Sequence, residues 1–142
     1  MLISPENYVY HRLVSTPAVA RLVGFQVYAM AVPKSATFPF IVYKRQNIAR
    51  ESTLSAGPLY CPMVSLQIAS WALSHDAARQ LADEVRLALD NATGTAAGAT
   101  IQDMRLVSET DDYLDPTAVG AQLPPAYEVR QLYQIRWHEA VS

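Results

Sequence analysis

The stretch that most constrains this chain is one in which the hydrophobic period changes from two to helical within a few residues. From Met63 to Trp71, Val64, Leu66 and Ile68 alternate with Ser65, Gln67 and Ala69, the signature of a half-buried strand. Ser74-His75-Asp76 then opens a helix in which Ala78, Leu81, Ala82, Val85, Ala88 and Leu89 recur at helical spacing. Arg79, Asp83, Glu84, Arg86 and Asp90 occupy its other side, and Asn91-Ala92-Thr93-Gly94 ends it. An amphipathic helix entered straight from a half-buried strand lies back on the sheet and buries Leu81, Val85 and Leu89. A second alternating run, Tyr127 to His138, sets Tyr127, Val129, Gln131, Tyr133, Ile135 and Trp137 against Glu128, Arg130, Leu132, Gln134 and Arg136.

The remaining segments complete an α+β order. Ser4-Pro5-Glu6 reads as a helix start, with a cap, a proline in the first turn and an acid near the positive end of the helix dipole. Val9 and Leu13 give that helix an apolar face, and a second short helix runs from Thr16-Pro17 to Leu22, stopped by Gly24. Val27 to Val32 is expected to be a strand ended by Pro33, and Phe40-Ile41-Val42-Tyr43-Lys44-Arg45 another. Residues 46–58 read as a long loop, residues 95–98 as a turn of small residues, Ala99 to Ser108 as a strand, and Glu109 to Pro125 as a second long loop. The expectation is one domain over residues 1–142: a mostly antiparallel sheet of about four to five strands with helices packed on one face.

Composition narrows the function classes. Hydrophobic residues make up 51% and charged residues 17% of the 142 residues, too apolar a mix for intrinsic disorder. The net charge of −2, from 13 acids against 11 bases, offers no basic surplus for a nucleic-acid partner. Apolar runs fall well short of the ~20 residues needed to span a bilayer, so no membrane role is expected. The start, Met1-Leu2-Ile3-Ser4-Pro5-Glu6, has no signal-peptide pattern. Cys61 is the single cysteine and reads as a small apolar residue at a strand start.

Residues able to carry catalysis are few. His11, His75 and His138 have no ligand spacing between them and read as solvated or capping side chains. Asp111-Asp112 with Glu109 and Asp115 present oxygen ligands, but without the alternation and glycine of a calcium loop; an acidic surface explains them equally. The five glycines are scattered, so no phosphate-cradling loop exists. Lys44, Arg45 and Arg50 form a small basic cluster beside Tyr43, either a solvated strand end or one side of an ion pair across a subunit boundary. No cofactor, metal or catalytic set is expected.

Taken in order, these elements resemble the tail-completion, or tail-terminator, family of long non-contractile-tailed bacteriophages. The segments that carry the resemblance are Leu22-Val23-Gly24 leading into Val27-Tyr28, and Phe38-Pro39-Phe40-Ile41-Val42-Tyr43. They continue with Val64 to Trp71, the helix Asp76 to Leu89, and Tyr127 to Trp137, so that residues 10–138 are covered. The resemblance implies a virion protein without catalytic residues. Copies would form a homo-oligomeric ring, usually a hexamer, at the head-proximal end of the tail tube, stop tube polymerisation and join the tail to the head connector. Its partners would be itself, the tube protein and the connector or stopper protein, while DNA passes through the lumen without specific recognition.

A closed ring needs two different patches that meet, and sheet edges and long loops can supply them. The expected contacts lie in residues 46–58 and 109–125, with Arg45, Arg50, Glu51, Leu54, Asp111, Asp112, Tyr113 and Leu114 as interface residues. Glu128, Arg130, Gln134 and Arg136 give the last strand a polar second face suited to a lumen. Two other readings compete. One is a head-completion or stopper ring protein. The other is a small ligand-binding or enzymatic domain with Tyr43, Arg45, His75 and Asp76 in a pocket.

Overall fold

The structure is a computed structural model that describes residues 4–50, 52–53, 57–58, 62–114 and 125–138. Two helices, α1 (Pro5–Ser15) and α2 (Pro17–Val23), open the chain, each with proline in its first turn. Gly24 ends α2 at φ 63°, a backbone conformation that glycine adopts without steric cost. Strands β1 (Val27–Ala29) and β2 (Phe40–Ala49) follow, then a two-stranded pair, β3 (Ser52–Thr53) and β4 (Gly57–Pro58). Next come β5 (Met63–Ala72), helix α3 (His75–Leu89), β6 (Gly94–Ala96), β7 (Ala99–Leu114) and β8 (Ala126–His138).

The main sheet has six strands in the order β1-β2-β5-β8-β7-β6. All neighbours are antiparallel except β1 and β2, which pair in parallel at Val27–Ile41, Tyr28–Val42 and Ala29–Tyr43. The α+β expectation holds; the strand count rises to six and the sheet is mixed. β1 is parallel because Gly24 and Gln26 bring the chain from α2 directly to the outer edge of β2, where Ile41 N–H donates to the Gln26 carbonyl at 3.0 Å. It is also shorter than expected: Met30 turns to φ 67°, which takes residues 30–32 out of the sheet.

Both long loops expected from the sequence are in part strand. β2 runs on through Ala49 and β7 through Leu114, so residues 46–49 and 109–114 are paired backbone. These stretches are polar because the sheet extends past its helical cover, and a strand wet on both faces loses the alternation that would announce it. The small-residue turn is a hairpin, with β6 paired to the start of β7 around Ala97-Gly98.

The core lies between the helices and one face of the sheet. Tyr8, Val9 and Leu13 of α1, Val19 and Val23 of α2 and Leu81, Val85 and Leu89 of α3 pack there. They meet Ile41, Val64, Leu66, Ile68, Ile101, Met104, Tyr133, Ile135 and Trp137 from the strands. Burying Leu81, Val85 and Leu89 as expected contributes about 1.5–3 kcal/mol each. Ser74 caps α3, its Oγ accepting from Ala77 N–H at 3.1 Å. Among the described residues no helix is long and apolar enough to cross a membrane.

Candidate functional site: the open sheet face and its two edges

The register separates the two faces of the sheet. Leu66 stands opposite Tyr133, and Tyr133 opposite Leu106, all under the helices. The residues between them, such as Gln67, Leu132 and Lys44, therefore point to the face that the helices leave uncovered.

That uncovered face carries an apolar groove of about 460 Å³, walled by Met30, Val32, Phe38, Phe40, Trp71 and Leu114, with Lys44, Gln67, Glu128 and Arg130 on its floor and rim. Phe40 links the wall together, its ring 5.0 Å from that of Phe38 and 6.3 Å from that of Trp71. Met30 is 70% exposed and Leu114 51% exposed, unusual for residues of this size. The sequence reading missed this groove. Its one signal was the aromatic cluster Phe38-Pro39-Phe40, since Met30 and Leu114 join it only through the turn after β1 and the end of β7.

The expectation that the second face of β8 is solvated holds only in part. Arg130 and Gln134 are exposed and Arg136 is half-buried, but Glu128 is 4% exposed. Burial pushes the Glu128 carboxyl above its ordinary value, although Arg130 Nε donates to it at 2.7 Å.

Two charged clusters flank the sheet. On β2, Arg45 donates to Glu6 through Nε at 2.8 Å and through its terminal nitrogen at 2.9 Å, and its guanidinium lies 5.8 Å from the ring centre of Trp137. Burial alone would raise the Glu6 carboxyl, but the Arg45 bonds outweigh it and hold the group below its ordinary value. On β7, Arg79 of α3 reaches Glu109 at 3.2 Å, Asp111 at 3.3 Å and Asp83 at 3.2 Å. His75 Nε2 lies 2.9 Å from Asp111. That contact, with Arg79, holds the Asp111 carboxyl below its ordinary value. Asp112 lies 3.6 Å from Arg130. Among the described residues no three His, Cys, Asp or Glu side chains gather to hold a metal ion.

The interface residues expected from sequence thus fall on opposite edges. Arg45 lies within β2, and the exposed Arg50 follows the strand. Asp111, Asp112, Tyr113 and Leu114 form the exposed end of β7, with Tyr113 packed 4.9 Å from Tyr127. Glu51 and Leu54 lie outside the described residues. The four residues of the pocket reading are not brought together: Arg45 is engaged by Glu6, while His75 meets Asp111 at the start of α3.

A family model for tail completion protein gp17 matches residues 7–121. The chain belongs to the tail completion protein gp17 family. The resemblance read from its strands and helix is borne out, and as a member the chain is a structural protein of a virion tail. Its fold is similar to that of a chain in a solved structure described as the virion of a native gene transfer agent particle. The TM-score is 0.70 at 17% identity, with 91% of this chain and 90% of that chain covered. At that identity the likeness is one of fold. No curated protein matches the sequence.

Proposed function

We propose that the chain forms a closed ring, of six copies, at the head-proximal end of a tail tube. There it stops tube polymerisation and presents the surface that joins the tail to the head connector. The observation that carries this reading is the family match, which spans most of the chain. The fold supplies features that suit such a role: helices that pack on one face of the sheet, two edges of different charge, and an open face among the described residues. The role is one of shape, with no bond-making chemistry.

In this ring the polar upper part of the uncovered face, with Gln134 and Arg136, lines the passage for DNA. The chain as a whole carries a net charge of −2, with no basic surplus to hold the polyanion. A tail rather than a head-side position is favoured over the stopper reading because the matched family is one of tail completion proteins.

Native mass spectrometry of the protein, alone and with its tube and connector proteins, is expected to find a ring. A chain that stays monomeric in every mixture overturns the reading. Electron microscopy of a deletion mutant is expected to find full heads beside overlong or unattached tails. Leaking heads would assign the protein to the stopper position instead.

A further inference from the structure

We propose that copies of this chain join edge to edge: the basic end of β2 in one copy adds to the acidic end of β7 in the next, so that the sheet continues from copy to copy. This rests on the ring reading above and names the surface that closes it.

Among the described residues, each edge has a part with a strand or loop paired beside it and a part without one. β1 follows β2 only as far as Tyr43, whose carbonyl accepts from Met30 N–H at 2.9 Å, while β2 runs on to Ala49. On the far side β6 pairs with β7 only as far as Ile101. Beyond it, Asn91 N–H donates to the Met104 carbonyl at 2.8 Å, and Leu106 N–H donates to the Asp90 carboxylate at 3.0 Å. Past that point β7 runs on to Leu114. Among the described residues, no strand pairs with the outer side of residues 44–49 or of residues 107–114.

The two uncovered parts differ in sign. The end of β2 carries Lys44 and Arg45, with the carboxylate of Glu6 on Arg45. At β7, Glu109, Asp111, Asp112 and Asp83 meet the guanidiniums of Arg79 and Arg130, with His75 beside Asp111. Each edge therefore repels its own kind and attracts the other. That disfavours a two-fold dimer and favours the head-to-tail contact that closes rings.

Strand geometry fixes the register. Ile41 N–H and the Tyr43 carbonyl point away from β5. Alternation gives Arg45 the same sense and, across the bulge between Arg45 and Asn47, Ile48 as well. Met104 and Leu106 point away from β8, and past the bulge between Leu106 and Ser108 so do Glu109 and Asp111. Matching these groups sets Arg45 opposite Asp111 and Ile48 opposite Glu109. Lys44 then stands opposite Asp112, both on the uncovered face. Any other register that matches faces loses at least one of the two opposite-charge pairs. Within one copy Lys44 is level with Ser108, through Gln67 and Leu132. Pairing it with Asp112 displaces each copy by four residues, about 13 Å at ~3.3 Å per residue, which gives the tilt that closed sheets adopt.

The test uses Lys44→Glu, Asp112→Lys and the double variant, each checked for a native circular dichroism spectrum. In native mass spectrometry, under the conditions that give the wild-type ring, each single variant is expected to lower the ring population at least tenfold. The double variant restores it, because the exchanged charges again meet with opposite sign across the contact. An equimolar mixture of the two single variants also restores it, by alternating around an even-membered ring. Rings that persist in both single variants, or that neither the double variant nor the mixture recovers, overturn the edge-to-edge contact and leave the ring reading standing. A wild-type chain that never forms a ring overturns the ring reading itself.

Discussion

Gln131 is fully buried on β8 in a row of apolar side chains. Its amide nitrogen donates to the Ala82 carbonyl of α3 at 3.0 Å and to Glu109 at 3.1 Å, and its oxygen accepts from the Tyr133 hydroxyl at 3.2 Å. Gln131→Leu leaves the Tyr133 hydroxyl without that acceptor and is expected to cost about 1–3 kcal/mol in urea unfolding. An unchanged midpoint would mean that water replaces the lost bonds. The two glutamates at the sheet titrate with opposite signs. Glu6 is held below the ordinary 4.5, so its stabilisation is present above that value and is lost as pH falls through the folded value. Wild type is expected to exceed Glu6→Gln by about 0.5–1 kcal/mol at pH 7, since Arg45 is partly exposed, and the gap should close in acid. Glu128 is raised, so its contribution is present in acid and is lost as pH rises through the folded value. Glu128→Gln is therefore expected to gain on wild type between pH 4 and 7. Unfolding curves at pH 7, at pH 4 and in stronger acid check both signs. The alternation of β8 already set Gln131 in the row with Val129 and Tyr133 that the core receives. It could not signal Glu128, whose burial comes from Arg130 beside it and from Trp71 on the neighbouring strand.

At the scale of elements, α3 shows how local rules decide. Ser74→Ala removes the acceptor for Ala77 N–H and is expected to cost about 1 kcal/mol in thermal or urea unfolding, whereas Ser74→Asp should not. A cost below a few tenths would assign the cap to the backbone alone. β5, α3 and β8 were legible because each has one dry and one wet side, which turns burial into a readable period. The ends of β2 and β7 were not legible. Lys44-Arg45-Gln46-Asn47 and Ser108-Glu109-Thr110-Asp111-Asp112 carry no period, because almost every side chain there is exposed. Their strand state is imposed by β5 and β8 alongside. Arg45, Asp111 and Asp112, three of the residues expected at the interface, lie in these ends, because charge on an exposed segment is visible in a sequence even when its conformation is not. The parallel pairing of β1 had no local signal at all, since it depends on where α2 delivers the chain.

For the whole molecule, the balance of charge makes a separate prediction. A passage lined by this surface should not retain a polyanion, so the purified protein is expected to show no double-stranded DNA binding at 150 mM salt by fluorescence anisotropy. That means a Kd weaker than the ~10⁻⁴–10⁻⁶ M of non-specific DNA binders. Micromolar binding with a steep salt dependence would reassign the uncovered face. The helices add a further asymmetry: all three pack on one side, leaving Met30 and Leu114 exposed on the other.

β8, the last strand described, is also an inner one, flanked by β5 along most of its length and by β7 on its other side. During synthesis, everything before residue 126 leaves the ribosome with a gap in the middle of its sheet. β5 and β7 have no partner to bridge them until β8 itself emerges, and contacts as distant as Met63 with Arg136 must then form late and slowly. A nascent chain therefore has no finished surface to offer its neighbours before that strand is made.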